Sequence, residues 1–156
     1  MKKSLIYFLI IFFSVTAFAS DINIPAKVGL KDNEILCVMY YKLGTCSKCF
    51  LNQQFFESLI NRLDFDNIRI IAVVGCNREK ELEIFKKKYV WEYELIADDG
   101  KIRKFYDFGG ENDIIVLNSK NKIVHNNKWN TDKDLKNSYD AIIQILGENV
   151  QIQNSK

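Results

Sequence analysis

Two stretches of this chain are apolar and aromatic almost from end to end, without the alternation that marks a half-exposed strand: Glu34 to Tyr41 (EILCVMYY) and Ile68 to Val74 (IRIIAVV). Successive residues of a strand point to opposite faces, so strands of this composition must be covered on both sides. They read as buried strands of a sheet that carries helices. The segments around them alternate accordingly. Lys42 to Thr45 is a short loop, and from Cys46 to about Leu63 the apolar positions Phe55, Phe56, Leu59, Ile60 and Leu63 recur at three and four, as on one helix face. Gly75-Cys76-Asn77 follows the second run and leads into a charged helix from about Glu79 to Tyr89. Tyr93 to Ala97 reads as a short strand, Asp98 to Gly100 as a turn, and Ile102 to Phe108 as a short helix or irregular segment. Asp113 to Asn118 and Ile123 to Asn126 make a hairpin through a turn at 119–122. A last helix is expected from about Asp132 to Leu146, with Leu135, Tyr139, Ile142, Ile143 and Leu146 on one face and Gly147 as its stop. The expected class is α/β, a mixed β-sheet with helices on both faces.

The first nineteen residues read separately. Lys2 and Lys3 precede a stretch from Leu5 to Ala19 that carries no charge and closes on Ala17-Phe18-Ala19 before Ser20, the pattern of a cleavable secretory signal peptide. Fifteen residues fall short of the roughly twenty that cross a bilayer, so a membrane association is expected only if the segment stays uncleaved. The expected organisation is a signal peptide over 1–19, a lead over 20–33, one domain over 34–147 and a polar tail over 148–156. Cleavage removes two lysines and no acid, so the 22 basic and 20 acidic residues become 20 and 20. A neutral chain without a basic stripe offers no footprint for nucleic acid.

Export gives the four cysteines, Cys37, Cys46, Cys49 and Cys76, an oxidising setting. Four are too few to build a scaffold from disulfides, so each needs its own reading. Cys46-Ser47-Lys48-Cys49 stands where a buried strand hands over to a helix. Unpaired amides at a helix start carry partial positive charge and favour a thiolate, and Lys48 adds a cation. Two intervening residues place the second thiol about one turn on, within reach of a disulfide. Cys46 is therefore read as the nucleophile and Cys49 as the resolving thiol. A CxxC is also a spacing that zinc or copper(I) accepts, so a metal-binding protein using Cys46, Cys49 and Cys76 stays open as an alternative.

Cys76 ends the second buried strand, which in this class of fold neighbours the strand leading to Cys46, so it is either a third thiol near the dithiol or a small core residue. Cys37, in the middle of a strand, reads as core. The single histidine, His125, reads as a solvent-facing residue on the outer strand of the hairpin. Lys86 to Lys88 reads as a solvated helix face, Glu111 to Asp113 as a polar loop, and Tyr40, Tyr41, Phe55 and Phe56 as core.

From Glu34 to about Leu146 the chain resembles the thioredoxin superfamily, and most of all its exported branch that reduces apocytochromes and other extracytoplasmic thiols, together with the related redoxin domains. The segments that carry the resemblance are ILCVMYYKLGTCSKCFLNQQFF, IIAVVGCNREKELEIFKKKY, ELIADDGKIRKFYDF and DIIVLNSKNKIV. It implies a thioredoxin-like sheet, a redox-active dithiol at Cys46 and Cys49, no organic cofactor and no metal. It also implies protein thiol or disulfide substrates, an upstream redox partner and a periplasmic or other extracytoplasmic location. At the position of Cys76 that branch often has an acidic residue. Two departures stand out. Thr45 replaces a usual tryptophan, and Asn112 occupies the position of the family's cis-proline; Pro25 is the only proline in the chain. The expected function is that of an extracytoplasmic thiol-disulfide oxidoreductase made weak or selective by Asn112. The alternative is a redox-inactive binding module of the same fold.

Overall fold

The structure, a computed structural model, describes residues 22–44, 50, 54, 57–58, 60–62, 66–110, 113–128 and 132–154. Cys46, Cys49 and Asn112 lie outside the described residues, as does the signal segment.

The elements are α1 (Ile24–Lys27), β1 (Ile35–Lys42), β2 (Ile68–Gly75), α2 (Glu79–Tyr89), β3 (Glu94–Asp98), α3 (Lys101–Phe105), β4 (Asp113–Asn118), β5 (Ile123–Lys128) and α4 (Asp132–Asn154). Between β1 and β2, Phe50, Gln54, Glu57, Ser58, Ile60 and Asn61 are helical. The five strands form one sheet in the order β3-β2-β1-β4-β5. β1 runs parallel to β2 from Ile35 opposite Ile68 to Lys42 opposite Gly75, and β2 runs parallel to β3. β4 is antiparallel to both β1 and β5. The expected mixed sheet is present, and the Glu79 to Tyr89 helix and the Asp113 to Asn118 strand have the expected bounds.

β1 shows why its sequence is apolar at consecutive positions. Ile35, Cys37, Met39 and Tyr41 enter one core with Phe50, Ile60, Phe85, Trp91, Ile142 and Leu146, which come from the segments between β1 and β3 and from α4. Leu36, Val38 and Tyr40 enter a second core on the opposite face with Ile24, Ile96, Ile102, Tyr106 and Phe108. Each fully buried side chain of this size contributes about 1.5–3 kcal/mol. The N-terminal lead is fastened to the second core by Tyr106. Its hydroxyl donates to the Ile22 carbonyl at 2.7 Å, accepts the Ile24 amide at 3.3 Å and shares a hydrogen bond with the Asn121 side chain.

Two expectations are corrected. Gly147 does not stop the last helix, which runs on to Asn154. An interior glycine costs only about 1 kcal/mol, and the residues after it include no proline. His125 does not face solvent. Its Nε2 lies 3.3 Å from the Ser138 hydroxyl, because α4 packs across β5 and half-buries the ring. Asn127 makes the same connection, donating to Ser138 Oγ at 3.0 Å and to the Asp134 carbonyl at 2.8 Å.

α2 ends at Val90, whose φ of 51° and ψ of 46° are left-handed while its amide donates to the Lys86 carbonyl. That reversal turns the next residue, Trp91, into the first core, while Val90 itself is 77% exposed. A β-branched residue is poorly suited to this conformation, which costs an L-residue about 1–2 kcal/mol, and glycine returns about half of that in the entropy of the unfolded chain. Val90→Gly is therefore expected to stabilise the fold by about 0.5–1 kcal/mol. Chemical denaturation of the two proteins side by side measures it, with no stabilisation counting against the account.

Candidate functional site

The three parallel strands end together. Lys42 of β1 pairs with Gly75 of β2, and Gly75 pairs with Asp98 of β3, so the strand ends define one edge of the sheet. In open α/β sheets this is the edge at which sites are built. The Cys46–Cys49 segment leaves β1 just beyond it: Leu43 and Gly44 form a turn, residues 45–49 lie outside the described set, and Phe50 is helical again. Phe50 is buried against Tyr41 and Tyr89, with ring centroids 5.8 and 4.3 Å away. Its seat against Tyr41 fixes where the described chain resumes after residues 45–49.

Cys76 stands one residue past β2 at the same edge. Its amide donates to the Asp98 carbonyl at 3.0 Å, and its side chain is only 6% exposed. Burial raises the thiol above its ordinary pKa and the Glu81 carboxylate raises it further, which outweighs the hydrogen bonds from the backbone that lower it. It is thus a protonated thiol and a weak nucleophile at neutral pH. Cys37 lies in the first core with its thiol pushed up to about 12 by burial, as expected of a core residue.

The loop before β4 is organised by a residue expected to be part of a polar loop. Asp113 opens β4, is buried, and accepts the amides of Gly109 and Gly110 at 2.5 and 3.3 Å through Oδ2. Its carboxylate therefore secures the loop that precedes the position of Asn112. Asp98 plays a matching part at the other end of the edge. It is buried and accepts the amides of Ile102 at 2.8 Å and Arg103 at 3.0 Å, holding the start of α3.

The sequence reading missed Glu57. It is 5% exposed and accepts the Tyr41 hydroxyl at 3.4 Å. Burial pushes its carboxyl up to about 8, against which the Tyr41 hydrogen bond works only in part. The same pairing, with burial as the larger cause, drives the Tyr41 hydroxyl well above its ordinary range. A signal was present: Glu57 is seven residues after the buried Phe50 and three before the buried Ile60, which places an acid on the apolar face of a helical segment.

This burial has a pH signature. Between the ordinary value of 4.5 and about 8, the folded chain holds a proton on Glu57 that the unfolded chain releases. Stability then falls as pH rises through that window, by up to about 1.4 kcal/mol per unit. Glu57→Gln is expected to leave the melting temperature nearly unchanged at pH 4.5 and to raise it progressively toward pH 8. Calorimetry across that range checks it, and a constant difference at every pH contradicts it.

No protein-family model and no curated protein matches the sequence. Solved structures do match the fold. A Chlorobium tepidum protein assigned as the thiol:disulfide interchange protein DsbE superposes with a TM-score of 0.62 at 12% identity, over 74% of this chain and 82% of that one. The thioredoxin domain of a thiol-disulfide oxidoreductase from Bacteroides vulgatus gives 0.53 at 21% identity, over 71% and 80%. A thioredoxin-like protein from Porphyromonas gingivalis gives 0.58 at 18%, over 78% of each. With its central parallel strands, its antiparallel hairpin on one side and helices on both faces, this chain has the thioredoxin-like fold.

Proposed function

We propose that the protein is an extracytoplasmic thiol-disulfide oxidoreductase that acts on protein substrates through Cys46 and Cys49. The observation that carries this reading is positional. The CxxC falls between the end of β1, the central strand of a thioredoxin-like sheet, and the helical, buried Phe50, the point at which a helix start favours a thiolate. Resemblance to solved thiol-disulfide oxidoreductases in fold supports it. Export follows from the signal pattern over residues 1–19, with the mature chain beginning at Ser20.

The chemistry needs no organic cofactor. The Cys46 thiolate attacks one sulfur of a partner disulfide, forming a mixed disulfide and expelling the partner's other sulfur as a thiolate. The Cys49 thiolate then attacks Cys46 Sγ and expels the remaining partner sulfur. The partner gains two electrons and becomes a dithiol, and the Cys46–Cys49 pair loses them and becomes a disulfide. Run backward, the same steps oxidise a partner, and the relative potentials set the direction. An upstream redox partner restores the starting state.

Alkylation of the reduced protein across pH, resolved by mass, tests the assignment. Cys46 is expected to react first, with an apparent pKa below that of an ordinary thiol, and a mild glutathione couple is expected to yield a reversible Cys46–Cys49 disulfide. Preferential labelling of Cys49, or no oxidised form, overturns it and leaves the binding-module or metal-binding alternative.

Asn112 sets the expected strength of the activity. In the family this chain resembles, a cis-proline loop lies beside the dithiol and leaves a strand edge open to a partner. A non-proline cis bond costs about 2.5–4 kcal/mol, so Asn112 favours the trans form and a different path. Insulin reduction is expected to be well below that of an ordinary thioredoxin under matched conditions, with a gain on Asn112→Pro. Wild-type activity equal to thioredoxin removes this consequence.

A further inference from the structure

A cavity of about 370 Å³ lies between the helical residues Gln54, Glu57 and Asn61 and the segment Trp91, Glu92 and Tyr93. Its composition is one-sided. Two carboxyl groups, Glu57 and Glu92, line it together with aromatic rings and neutral amides, and among the described residues no lysine or arginine does. Among the described residues, Glu57 is a buried acid with no cation beside it, and it accepts a hydrogen bond from the Tyr41 hydroxyl behind it. An ionised carboxylate accepts about four hydrogen bonds, so a single long one from Tyr41 leaves most of its capacity unused. Trp91 stands on the same wall with its Nε1 buried. The Trp91 and Tyr93 rings stand edge to face with centroids 5.5 Å apart, and Tyr93 is held by a hydrogen bond to Asn61.

We propose that this cavity binds an organic cation, a primary ammonium or guanidinium on a short alkyl stem, with the charge paired to Glu57 and the stem against Trp91 and Tyr93. Ring faces attract cations electrostatically, and desolvation by the aromatic wall strengthens the pairing with a carboxylate. The volume lies at the small end of ligand pockets, suited to one side chain or one small amine. A basic side chain of a polypeptide and a free alkylamine share this chemistry.

The site also predicts a proton. In the empty cavity Glu57 is mostly protonated at pH 7, so binding a cation expels its proton. Among the described residues, the groups that face it are Tyr41 from β1, Tyr89 from the end of α2, and Glu92 and Tyr93 from the segment after Val90. Burial raises Tyr41 and Tyr93, leaving both neutral in this range. Lys88 of α2 sits 4.9 Å from the centroid of the Tyr89 ring and does not line the cavity. Affinity should therefore climb with pH toward a plateau near 8, by up to tenfold per unit.

The test is a titration of the ¹⁵N-labelled full chain with n-butylguanidinium and n-butylammonium, at constant ionic strength, read at the indole N–H of Trp91. Trp129→Phe assigns that signal. A saturable shift is expected, at least tenfold tighter for either cation than for neutral n-butylurea, and tenfold weaker in Glu57→Gln than in the wild type. The tripeptide Ac-Ala-Arg-Ala-NH2 separates the sources: affinity at or above that of the free cation assigns a polypeptide, and weaker binding assigns a free amine. Equal affinity for n-butylurea, no saturable shift, or an affinity that stays flat from pH 6 to 8 overturns the proposal. The urea comparison and the pH series use the wild-type chain, so they decide the matter even if Glu57→Gln folds poorly.

Discussion

Everything in this structure depends on β1 being buried on both faces. β1 lies between β2 and β4, and the side chains of seven consecutive residues, Ile35 to Tyr41, alternate between two separate apolar cores. A strand so placed can satisfy its backbone only through its neighbours in the sheet, and it can bury its side chains only if both faces are covered. The helical residues after the CxxC, α2 and α4 cover one face. α1, α3 and the N-terminal lead cover the other. Remove the first cover and the strand exposes Ile35, Cys37, Met39 and Tyr41 to water; remove the second and it exposes Leu36, Val38 and Tyr40.

That constraint also aligns the strand ends. Because β1, β2 and β3 are parallel and in register at Lys42, Gly75 and Asp98, the segments that leave them all emerge at one edge. Two buried carboxylates bind backbone amides: Asp98, at the end of β3, holds the start of α3, and Asp113, at the start of β4, holds Gly109 and Gly110. Cys76 shares the edge, but its burial and the adjacent Glu81 hold it as a thiol. Standing at a strand-end edge and being reactive are separate properties, and solvation decides the second.

Glu57 belongs to a different part of the molecule. It lies on the helical segment, hydrogen-bonded to Tyr41 and lining a cavity with Tyr89, Trp91 and Tyr93. An acid at that point is expensive to charge, and a hydrophobic residue of similar size would fill the space without that cost. It stands beside a cavity that, among the described residues, is lined by rings and acids and by no lysine or arginine.

The sequence by itself determined the elements and their order. Strand-length apolar runs, a three-and-four periodicity and the turn residues depend on local geometry, so Glu79–Tyr89 and Asp113–Asn118 were legible in the sequence. The helix end was not. Gly147 carries a local cost that the neighbouring turns of α4 outweigh, so a stop signal did not act as one. His125, Asp113, Cys76 and above all Glu57 were decided by tertiary structure. Whether a polar side chain meets water, an amide or an aromatic ring depends on which element lies across from it, and Glu57 meets Tyr41 from sixteen residues away and Trp91's wall from beyond a whole strand and helix. Periodicity specifies which face of an element a residue occupies, whereas solvation, and with it charge and reactivity, comes from what the folded chain brings against that face.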